Sequence, residues 1–527
     1  MIMPLSAAPR PDFSGEWRLL LDKSQFAGQT PPRSRIIQID HRDPTLIVQV
    51  LENNRQETAF YSTDGVDRPN PVQGKPAKTV TRWDGSALVI TATGEKDVTT
   101  DRYELTAPNT LVLTRQNQVL IHELVPLRAG LAQVDITPAN FMPMYGYRNR
   151  SCGPADGHHD PLMAKILILE SAAARLAIVS LDLGSIVSAR LRDEAAKTGF
   201  SLLLLAASHT HSGPLFLSPE RDEAQTAFLR QTEDKILSAL KQAASRMFIA
   251  RLSTARGNAQ LGYNRLVLRE HGRARAAFNN LERIPYGPLD AEYMLLEVSE
   301  PGVGPRALLI HHSIHPVVLG PTNCKYSADF PGAMNAAIQA ALPGVQSMFI
   351  QGGAGDMNPL FLGRAGNDKD DFAQVNRMGE LLAADVLKTR AKLRDTGTAS
   401  HPIRTNAQVL RLDDRWESGK TIELGIAAAL IGRDIAIAAI PGEPLHTLQT
   451  TWKHRADVAF PLFYGYTYSA GGEWPGYIPD LKSAAYGGYG ADVSTRVEVG
   501  AGEKILERLL QSLYGLRGYW SAVPGLP

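Results

Sequence analysis

The sequence has few cysteines, little net charge and no long apolar run, and each shortage excludes a class of protein. Two cysteines in 527 residues cannot form a disulfide framework, and they lack the paired spacing of a structural zinc site. A formal net charge of +1 means that the sequence has no excess of basic residues with which to bind nucleic acid or an anionic membrane. The longest apolar runs, such as residues 200–207, are far shorter than the ~20 residues of a membrane span. We therefore expect no nucleic-acid partner and no stable membrane span.

The two cysteines, Cys152 and Cys324, are far apart in sequence, and two interpretations stay open: one isolated bridge, or two unrelated free thiols. The N-terminus has neither the charged nor the apolar region of a signal peptide. Either the protein is cytoplasmic or a signal peptide has been removed, and residues 6–9 (SAAP) would suit sequence just after a cleavage site. We predict a periplasmic or secreted location, with a cytoplasmic one as the alternative.

Residues 10–127 are predicted to form a small all-β N-terminal domain. Turn signals such as Asp64-Gly65 and Asp84-Gly85 separate short alternating segments, and no segment keeps a 3.6-residue period. This pattern is typical of a small antiparallel barrel or sandwich. Gly15-Glu16-Trp17 resembles the Gly-x-Trp signature of lipocalin-like barrels, which implies an interior that either holds an apolar ligand or is filled by side chains. The alternating segments are 35–40, 46–51, 87–92, 102–105 and 110–114.

Residues 130–520 are predicted to form a large α/β (α+β) domain, so that the whole chain is multidomain. Near-continuous apolar runs bounded by polar residues, Gly or Pro suit strands that are buried on both faces. Helical stretches with one apolar stripe alternate with them, at 223–244, 371–393 and 503–514. A mixed sheet flanked by helices is the expected architecture. The apolar runs are 164–170, 176–181, 201–207, 307–310, 348–350 and 435–440.

Residues with reactive side chains follow four of these predicted strands, at the point where each strand ends. In sheets flanked by helices, binding sites assemble outside the carboxyl ends of strands. Packing alone does not readily explain four strands that all end in His, Asp or Glu with Gly or Pro turns. The residues are His209, His211, His315, Asp356, Asn358 and Glu443.

The histidines among them suit a zinc site. His209 and His211, at positions i and i+2, face the same side of an extended segment, so both can reach one cavity. Zinc prefers imidazole nitrogen and carboxylate oxygen, and a catalytic zinc keeps one coordination position open. A pair of half-exposed loop histidines is the alternative. We take His311 and His312 as structural, and only His315 as a ligand, because the metalloprotease pattern His-Glu-x-x-His is absent and a proline follows.

A series of short motifs runs through residues 130–513 in a fixed order. They are 132–138 (AQVDITP), 159–162 (HDPL), 208–214 (SHTHSGP), 262–265 (GYNR), 315–320, 327–332 (SADFPG), 353–359 (GAGDMNP), 441–444 (PGEP) and 475–489. Together they resemble the catalytic domain of the neutral (non-lysosomal) ceramidases and their bacterial relatives. The resemblance implies a zinc-dependent hydrolase that cleaves the amide bond of a ceramide-like or other N-acylated substrate.

The resemblance also implies roles for individual residues. The zinc ligands of the family match His209, His315, Glu443 and Tyr477. The second motif histidine, His211, matches a residue that contacts the reacting carbonyl or the leaving group.

Two further residues match the active site of the family. Arg265 matches an arginine, and Tyr489, twelve residues after Tyr477, matches the second of two tyrosines. We take the nearby Tyr486 as a packed residue only.

One position departs from the family pattern. The ceramidases have a serine in Gly-Asp-x-Ser-Pro where this chain has Asn358. Asparagine is neither a nucleophile nor the same kind of proton donor, although its amide can orient water or a carbonyl. The identity of ceramide as the substrate is therefore open.

The expected mechanism is attack by zinc-activated water on an amide carbonyl, with His211 as the proton donor to the leaving amine. Asp356 either orients a ligand histidine or caps the following turn. Asp182 and Asp329, at strand ends, are more readily explained as structural. Two rival functions remain: a zinc-dependent esterase or lactonase, and a non-catalytic lipid-binding protein with a retained zinc site. The expected partner is a small N-acyl or lipid molecule, and the oligomeric state is left open.

Overall fold

The computed structural model describes residues 10–53, 55–70, 77–217, 221–269, 271–396 and 400–519. Its first part is one antiparallel sheet of ten strands that curls on itself. Alternate side chains of these strands point inward and form one apolar core, in which Trp17 is buried and its indole N–H donates to the Phe13 carbonyl over 3.0 Å. The strands are β1 Gly15–Leu19, β2 Arg35–Arg42, β3 Thr45–Glu52, β4 Arg55–Ser62, β5 Arg68–Pro69, β6 Lys78–Asp84, β7 Ala87–Thr93, β8 Val98–Ala107, β9 Thr110–Arg115 and β10 Gln118–Leu124.

The rest of the described chain mixes strands and helices. Its strands are β11 Arg128–Asp135, β12 Gly157–His158, β13 Met163–Glu170, β14 Arg175–Leu181, β15 Leu202–Ala207, β16 Phe248–Ile249, β17 Arg251–Asn258, β18 Gly262–Asn264, β19 Leu266–Leu268, β20 Ala274–Ala276, β21 Glu292–Glu300, β22 Gly304–His312, β23 Lys325–Tyr326, β24 Gln346–Gln351, β25 Met357–Pro359, β26 Arg394–Asp395, β27 Ile403–Asp413, β28 Thr421–Ile431, β29 Ile435–Ala439, β30 Glu443–Pro444, β31 Phe460–Tyr464, β32 Thr467–Tyr468 and β33 Tyr477–Ile478. Its helices are α1 Ala189–Lys197, α2 Glu223–Ser245, α3 Asp329–Ala341, α4 Asp368–Arg390, α5 His446–Arg455, α6 Leu481–Tyr486 and α7 Ala501–Leu516.

Three larger sheets make up this second part, where the sequence analysis expected one mixed sheet. They have the strand orders β16-β11-β13-β14-β15-β32, β24-β22-β21-β17-β26 and β27-β28-β29-β31. One apolar core takes side chains from all three, among them Leu204, Leu309 and Ile437. The sheets are therefore buried against one another, which explains why their sequences lack strict alternation.

Helices cover the outer face of each of the three sheets. Helices α1 and α2 pack on the six-stranded sheet, α3 and α4 on the five-stranded sheet, and α5 and α7 on the four-stranded sheet. The predicted helices at 223–244, 371–393 and 503–514 are present with ends shifted by a few residues. Helix α2 begins with a capping box between Asp222 and Gln225, which fixes its first turn.

The ten-stranded sheet is joined to the rest of the protein by buried polar contacts around Glu16. The Glu16 carboxylate accepts hydrogen bonds from the Gln38 amide at 2.9 Å and the Ala172 backbone at 2.5 Å. The Glu16 N–H donates to the Ser400 hydroxyl, and Arg404 donates to Gln38. Burial raises the pKa of Glu16, so these donors are what stabilises its charge. The predicted boundary between domains near residue 127 stays a prediction.

The two cysteines are joined, which decides between the two interpretations that the sequence left open. Cys152 and Cys324 form a disulfide with a Cα–Cα distance of 6.0 Å and a sequence separation of 172. Beside it, the Arg150 guanidinium donates to the carbonyl oxygens of His211 at 2.6 Å and Asn323 at 2.5 Å. The bridge therefore ties together two loops that lie against His211.

Among the described residues, no helix combines the length and the apolar character that crossing a bilayer would require.

We predict that loss of the disulfide destabilises the protein. Cross-linking residues this far apart restricts the unfolded chain, and such bridges typically contribute about 2–4 kcal/mol. Cys152→Ser should lower the midpoint of thermal unfolding, and a reductant should lower it equally in the wild type. The same reductant should leave the variant unchanged. A wild-type midpoint that does not respond to reductant would contradict the prediction.

Candidate metal centre

The ends of strands from the three sheets meet at one buried place. His209 follows β15, His315 follows β22, and Glu443 begins β30 shortly after β29. All three side chains are buried. His209 has a φ of +69°, which costs a non-glycine residue about 1–3 kcal/mol and turns the chain sharply after β15. The three sheets thus contribute their strand ends to a single site.

The imidazoles of His209, His211 and His315 converge closely enough to hold a metal ion together. The Nε2 atom of His209 lies 3.2 Å from that of His211 and 3.2 Å from Oε2 of Glu443. Nε2 of His315 lies 3.2 Å from the same carboxylate oxygen. Four side chains therefore present nitrogen or oxygen atoms to one point.

Backbone carbonyls fix which nitrogen of His209 and of His315 faces this point. Nδ1 of His209 donates to the Gly184 carbonyl, and Nδ1 of His315 to the Ala354 carbonyl, each over 2.6 Å. A carbonyl only accepts, so Nδ1 has the proton and Nε2 of a neutral ring offers its lone pair. Metal-binding histidines are commonly held in this way.

The donor set fits zinc. Imidazole nitrogen and carboxylate oxygen are zinc ligands, and a tetrahedral ion with bonds of about 2.0–2.1 Å separates its ligands by about 3.3 Å. The separations of 3.2 Å between Oε2 of Glu443 and the Nε2 atoms of His209 and His315 match that spacing.

Burial controls the charges of this cluster. It lowers the pKa of His315 to about 4 and that of His211 well below its usual value, so both rings are neutral at neutral pH. Burial alone would raise the pKa of Glu443, but the contacting histidines hold it well below its usual value. The cluster thus contains one carboxylate beside the neutral imidazoles of His211 and His315, and metal ligands require these protonation states.

A loop rich in aromatic residues packs against His211. The rings of Tyr145 and Tyr147 lie 5.7 Å and 5.0 Å from it, both edge-on. Between them Gly146 has a φ of +98°, and a Cβ there would lie 2.3 Å from the His211 ring. Only glycine allows this close approach, so the loop fixes the orientation of His211.

Glu443 and Tyr477 are neighbours through backbone pairing. Strands β30 and β33 run parallel with these two residues in register. Gly442, with φ of +70°, makes the turn before Glu443 and lies too close to Pro475 and Gly476 for any side chain. Tyr477 is buried, and burial raises its pKa well above the usual value.

Arg265 connects Tyr477 with Asn358. Its guanidinium donates to the Tyr477 hydroxyl at 2.9 Å, to Oδ1 of Asn358 at 3.2 Å and to the Gly355 carbonyl at 2.6 Å. Burial raises the pKa of Tyr477 well above its usual value, and the positive charge of Arg265 opposes this effect only in part. Asn358, where the ceramidases have serine, is placed to orient Arg265.

The mouth of the site is aromatic. Tyr489 is 39% exposed and Phe278 is 45% exposed, and their rings meet edge-on at 5.4 Å. Both rings, and that of Tyr477, lie 5.4 Å from the guanidinium carbon of Arg265. An apolar rim thus leads to a polar interior.

Asp356 lies against His446, a residue that the sequence analysis did not single out. Its carboxylate accepts from Nδ1 of His446 at 2.6 Å, from the His446 backbone at 2.9 Å and from Asn264 at 3.0 Å. It therefore also caps the start of α5. A cavity of about 310 Å³ is lined by Asp356, His446 and Tyr486 among others.

The remaining candidates have structural partners. Asp182 accepts from the Met163 backbone, and Asp329 from the backbones of Leu319 and Phe330. Burial raises the pKa of both aspartates to about 6. His311 donates to the carbonyl of Phe463, and His312 is fully buried.

Sequence reasoning missed two aromatic groups around the cluster. Tyr145 and Tyr147 lie between the motifs at 132–138 and 159–162 and carried no signal. Tyr466 packs on His209 with ring centroids 4.4 Å apart. It follows β31 by two residues, so the strand-end rule applied to 460–464 would have found it.

Comparisons with solved structures show the fold. The neutral ceramidase from Pseudomonas aeruginosa aligns with 76% of this chain and 76% of its own, at 17% identity and a TM-score of 0.61. A ceramidase described as complexed with C2 aligns with 76% of this chain and 77% of its own, at 16% identity and a TM-score of 0.60. No protein-family model and no curated protein matches the sequence. The ceramidase-like fold that the motifs implied is confirmed.

We predict that Asp356→Asn destabilises the protein mainly at mildly acidic pH. Burial alone would lower the pKa of His446, but Asp356 raises it above 6.5. The contribution of His446 to the free energy of unfolding is therefore complete below pH 6.5, and it is lost as the pH rises through the pKa of His446 in the folded protein. Burial alone would raise the pKa of Asp356, but His446 lowers it below 3.8. The contribution of Asp356 to the free energy of unfolding is therefore present above pH 3.8, and it is lost as the pH falls through the pKa of Asp356 in the folded protein.

Both contributions coexist between about pH 4 and 6.5. Thermal unfolding midpoints of the variant and the wild type, measured from pH 4.5 to 9, should differ most in that window. Asp193→Asn removes an exposed carboxylate and serves as the control. A difference that grows toward pH 9 would show that the ion pair has been wrongly assigned.

Proposed function

We propose that this protein is a zinc-dependent hydrolase of amide bonds in N-acylated substrates. The observation that carries the proposal is the convergence of His209, His315 and Glu443 at 3.2 Å contacts, with both histidines aimed by backbone carbonyls. Tyr477 is proposed as the fourth ligand, because it is paired in register with Glu443 and lies beside Arg265. The ceramidase fold supports the same arrangement.

A zinc ion held by these residues would supply a Lewis acid and an activated water. Residues of the chain would transfer the proton and stabilise the negative charge that develops. His211, in contact with His209, would accept a proton from the attacking water and pass it to the nitrogen of the leaving amine. Tyr489, at the mouth, would donate to the carbonyl oxygen as its negative charge develops, an effect worth about 3–4 kcal/mol for a well-placed donor.

Arg265 and Asn358 would position rather than react. The guanidinium is engaged by Tyr477, Asn358 and Gly355, so it holds the Tyr477 oxygen in place. Asn358 would orient this arginine through Oδ1. Asp356 would support the site indirectly, through His446 and the start of α5.

The aromatic mouth suits a substrate with an apolar chain. Tyr489 and Phe278 offer exposed rings directly above Arg265. An acyl group would lie on these rings while its carbonyl enters the polar interior. This placement supports an N-acyl lipid as the substrate class and leaves the amine open.

We also propose that the protein works in the periplasm or outside the cell. Disulfides persist in oxidising compartments, and Cys152 and Cys324 are bridged.

We predict that removing zinc abolishes amide hydrolysis and that adding it back restores the activity. Glu443→Gln should lower bound zinc by about tenfold or more, because a neutral amide is a poor zinc ligand. Turnover of N-acyl amines should fall with the zinc content. Metal analysis of purified protein and an assay with N-acyl amines and matched esters provide the measurement.

His158→Ala, which removes a histidine far from the cluster in sequence and in β12, is the control and should keep zinc and turnover. A preference for esters by orders of magnitude would replace the amidase assignment with an esterase or lactonase. A zinc-bound wild type that cleaves neither class would favour a lipid-binding role.

We predict that Asn358→Ala lowers kcat about tenfold while bound zinc is unchanged, since the loss frees Arg265 without touching a ligand. Asn358→Ser, which keeps a polar group at this position, should lose less. Metal content and steady-state kinetics of the two variants are the measurements. Wild-type kcat in the alanine variant would show that Asn358 only fills space.

A further inference from the structure

Tyr466 is held in place by the same strand ends that hold the metal centre. Its backbone N–H donates to the Gly442 carbonyl at 2.9 Å, next to Glu443, and its carbonyl accepts from the Ala207 N–H at 3.1 Å, at the end of β15. The residue has a φ of +55°, which a glycine would adopt more easily. A tyrosine at this position therefore implies a use for its side chain.

The side chain lies within the proposed site. Its ring is 4.4 Å from that of His209 and 6.1 Å from that of His315. Burial raises the pKa of its hydroxyl well above the usual value, and the negative charge of Glu443 adds to this effect.

The hydroxyl of Tyr466 is fully buried and has no hydrogen-bond partner within the described parts of the chain. Burying a hydroxyl without a partner is unfavourable, and a phenylalanine of the same shape would avoid that cost. Because the Tyr466 ring packs on His209 and lies near His315, the partner available to this hydroxyl is a group that enters the site during the reaction.

We propose that Tyr466 is a catalytic residue. Its hydroxyl donates a hydrogen bond to the substrate oxygen that becomes negatively charged when the amide carbonyl is attacked. The phenol keeps its proton throughout, so the step is hydrogen bonding to developing charge and no bond of Tyr466 breaks. This inference rests on the proposed function, to which it adds a third tyrosine beside Tyr477 and Tyr489.

The test is Tyr466→Phe, with Tyr464→Phe as a matched control. The Tyr464 hydroxyl is also buried without a partner among the described residues, but its ring stacks near His311, outside the centre. Both variants lose one buried hydroxyl from the same segment. Only the first should affect the site.

In Tyr466→Phe, kcat should fall by about 100-fold with little change in KM, as for the loss of one oxyanion donor. Zinc content should stay at the wild-type level. The metal-free variant should unfold at the same or a higher temperature than the metal-free wild type, because the removed hydroxyl had no partner. Tyr464→Phe should keep wild-type kcat.

A second measurement does not depend on turnover. Acetohydroxamate presents an anionic oxygen to a metal centre, and its stabilisation of the zinc-loaded protein against heat should be smaller in Tyr466→Phe than in the wild type and in Tyr464→Phe. Wild-type kcat and an undiminished acetohydroxamate effect in Tyr466→Phe would overturn the proposal, as would a loss of zinc from that variant. If the wild type itself cleaves no amide or ester, the proposed function fails, and the acetohydroxamate comparison still decides whether Tyr466 faces the bound anion.

Discussion

One apolar core, shared by three sheets, is the constraint on which the proposed site depends. Leu204, Leu309 and Ile437 belong to different sheets and to the same core. Their burial against one another brings the ends of β15, β22 and β29 to one place, where His209, His315 and Glu443 follow. The site is thus a consequence of how the sheets pack, and no single sheet contains it.

Hydrogen bonds then fix the orientation of the side chains that the packing of the sheets brings together. The carbonyls of Gly184 and Ala354 fix the imidazoles of His209 and His315, and Arg265 fixes Tyr477. These partners are main-chain or buried groups, so the geometry exists before a ligand arrives. Such preorganisation is what metal binding and charge stabilisation require.

Two buried groups at the cluster have a hydrogen-bonding atom that the described residues leave unpartnered. Nδ1 of His211 and the Tyr466 hydroxyl have no partner among the described residues, although both lie at the cluster. Asp356, by contrast, is fully engaged by His446 and Asn264. His211 and Tyr466 are therefore suited to contact a substrate, whereas Asp356 supports the site through its neighbours. This difference also explains why Asp356 at a strand end is a less direct participant than its position in sequence suggested.

The sequence by itself determined the β character of the N-terminal part, the main helices and the strand ends at which His209, His315 and Glu443 lie, because hydrophobic period and strand-end chemistry are local properties. Its motifs also implied the ceramidase-like fold. Only the tertiary structure decided that three sheets replace one, that Cys152 and Cys324 are bridged, and that Tyr466 adjoins the cluster. Those facts depend on contacts between residues far apart in the chain, and such contacts leave no periodic signal in the sequence.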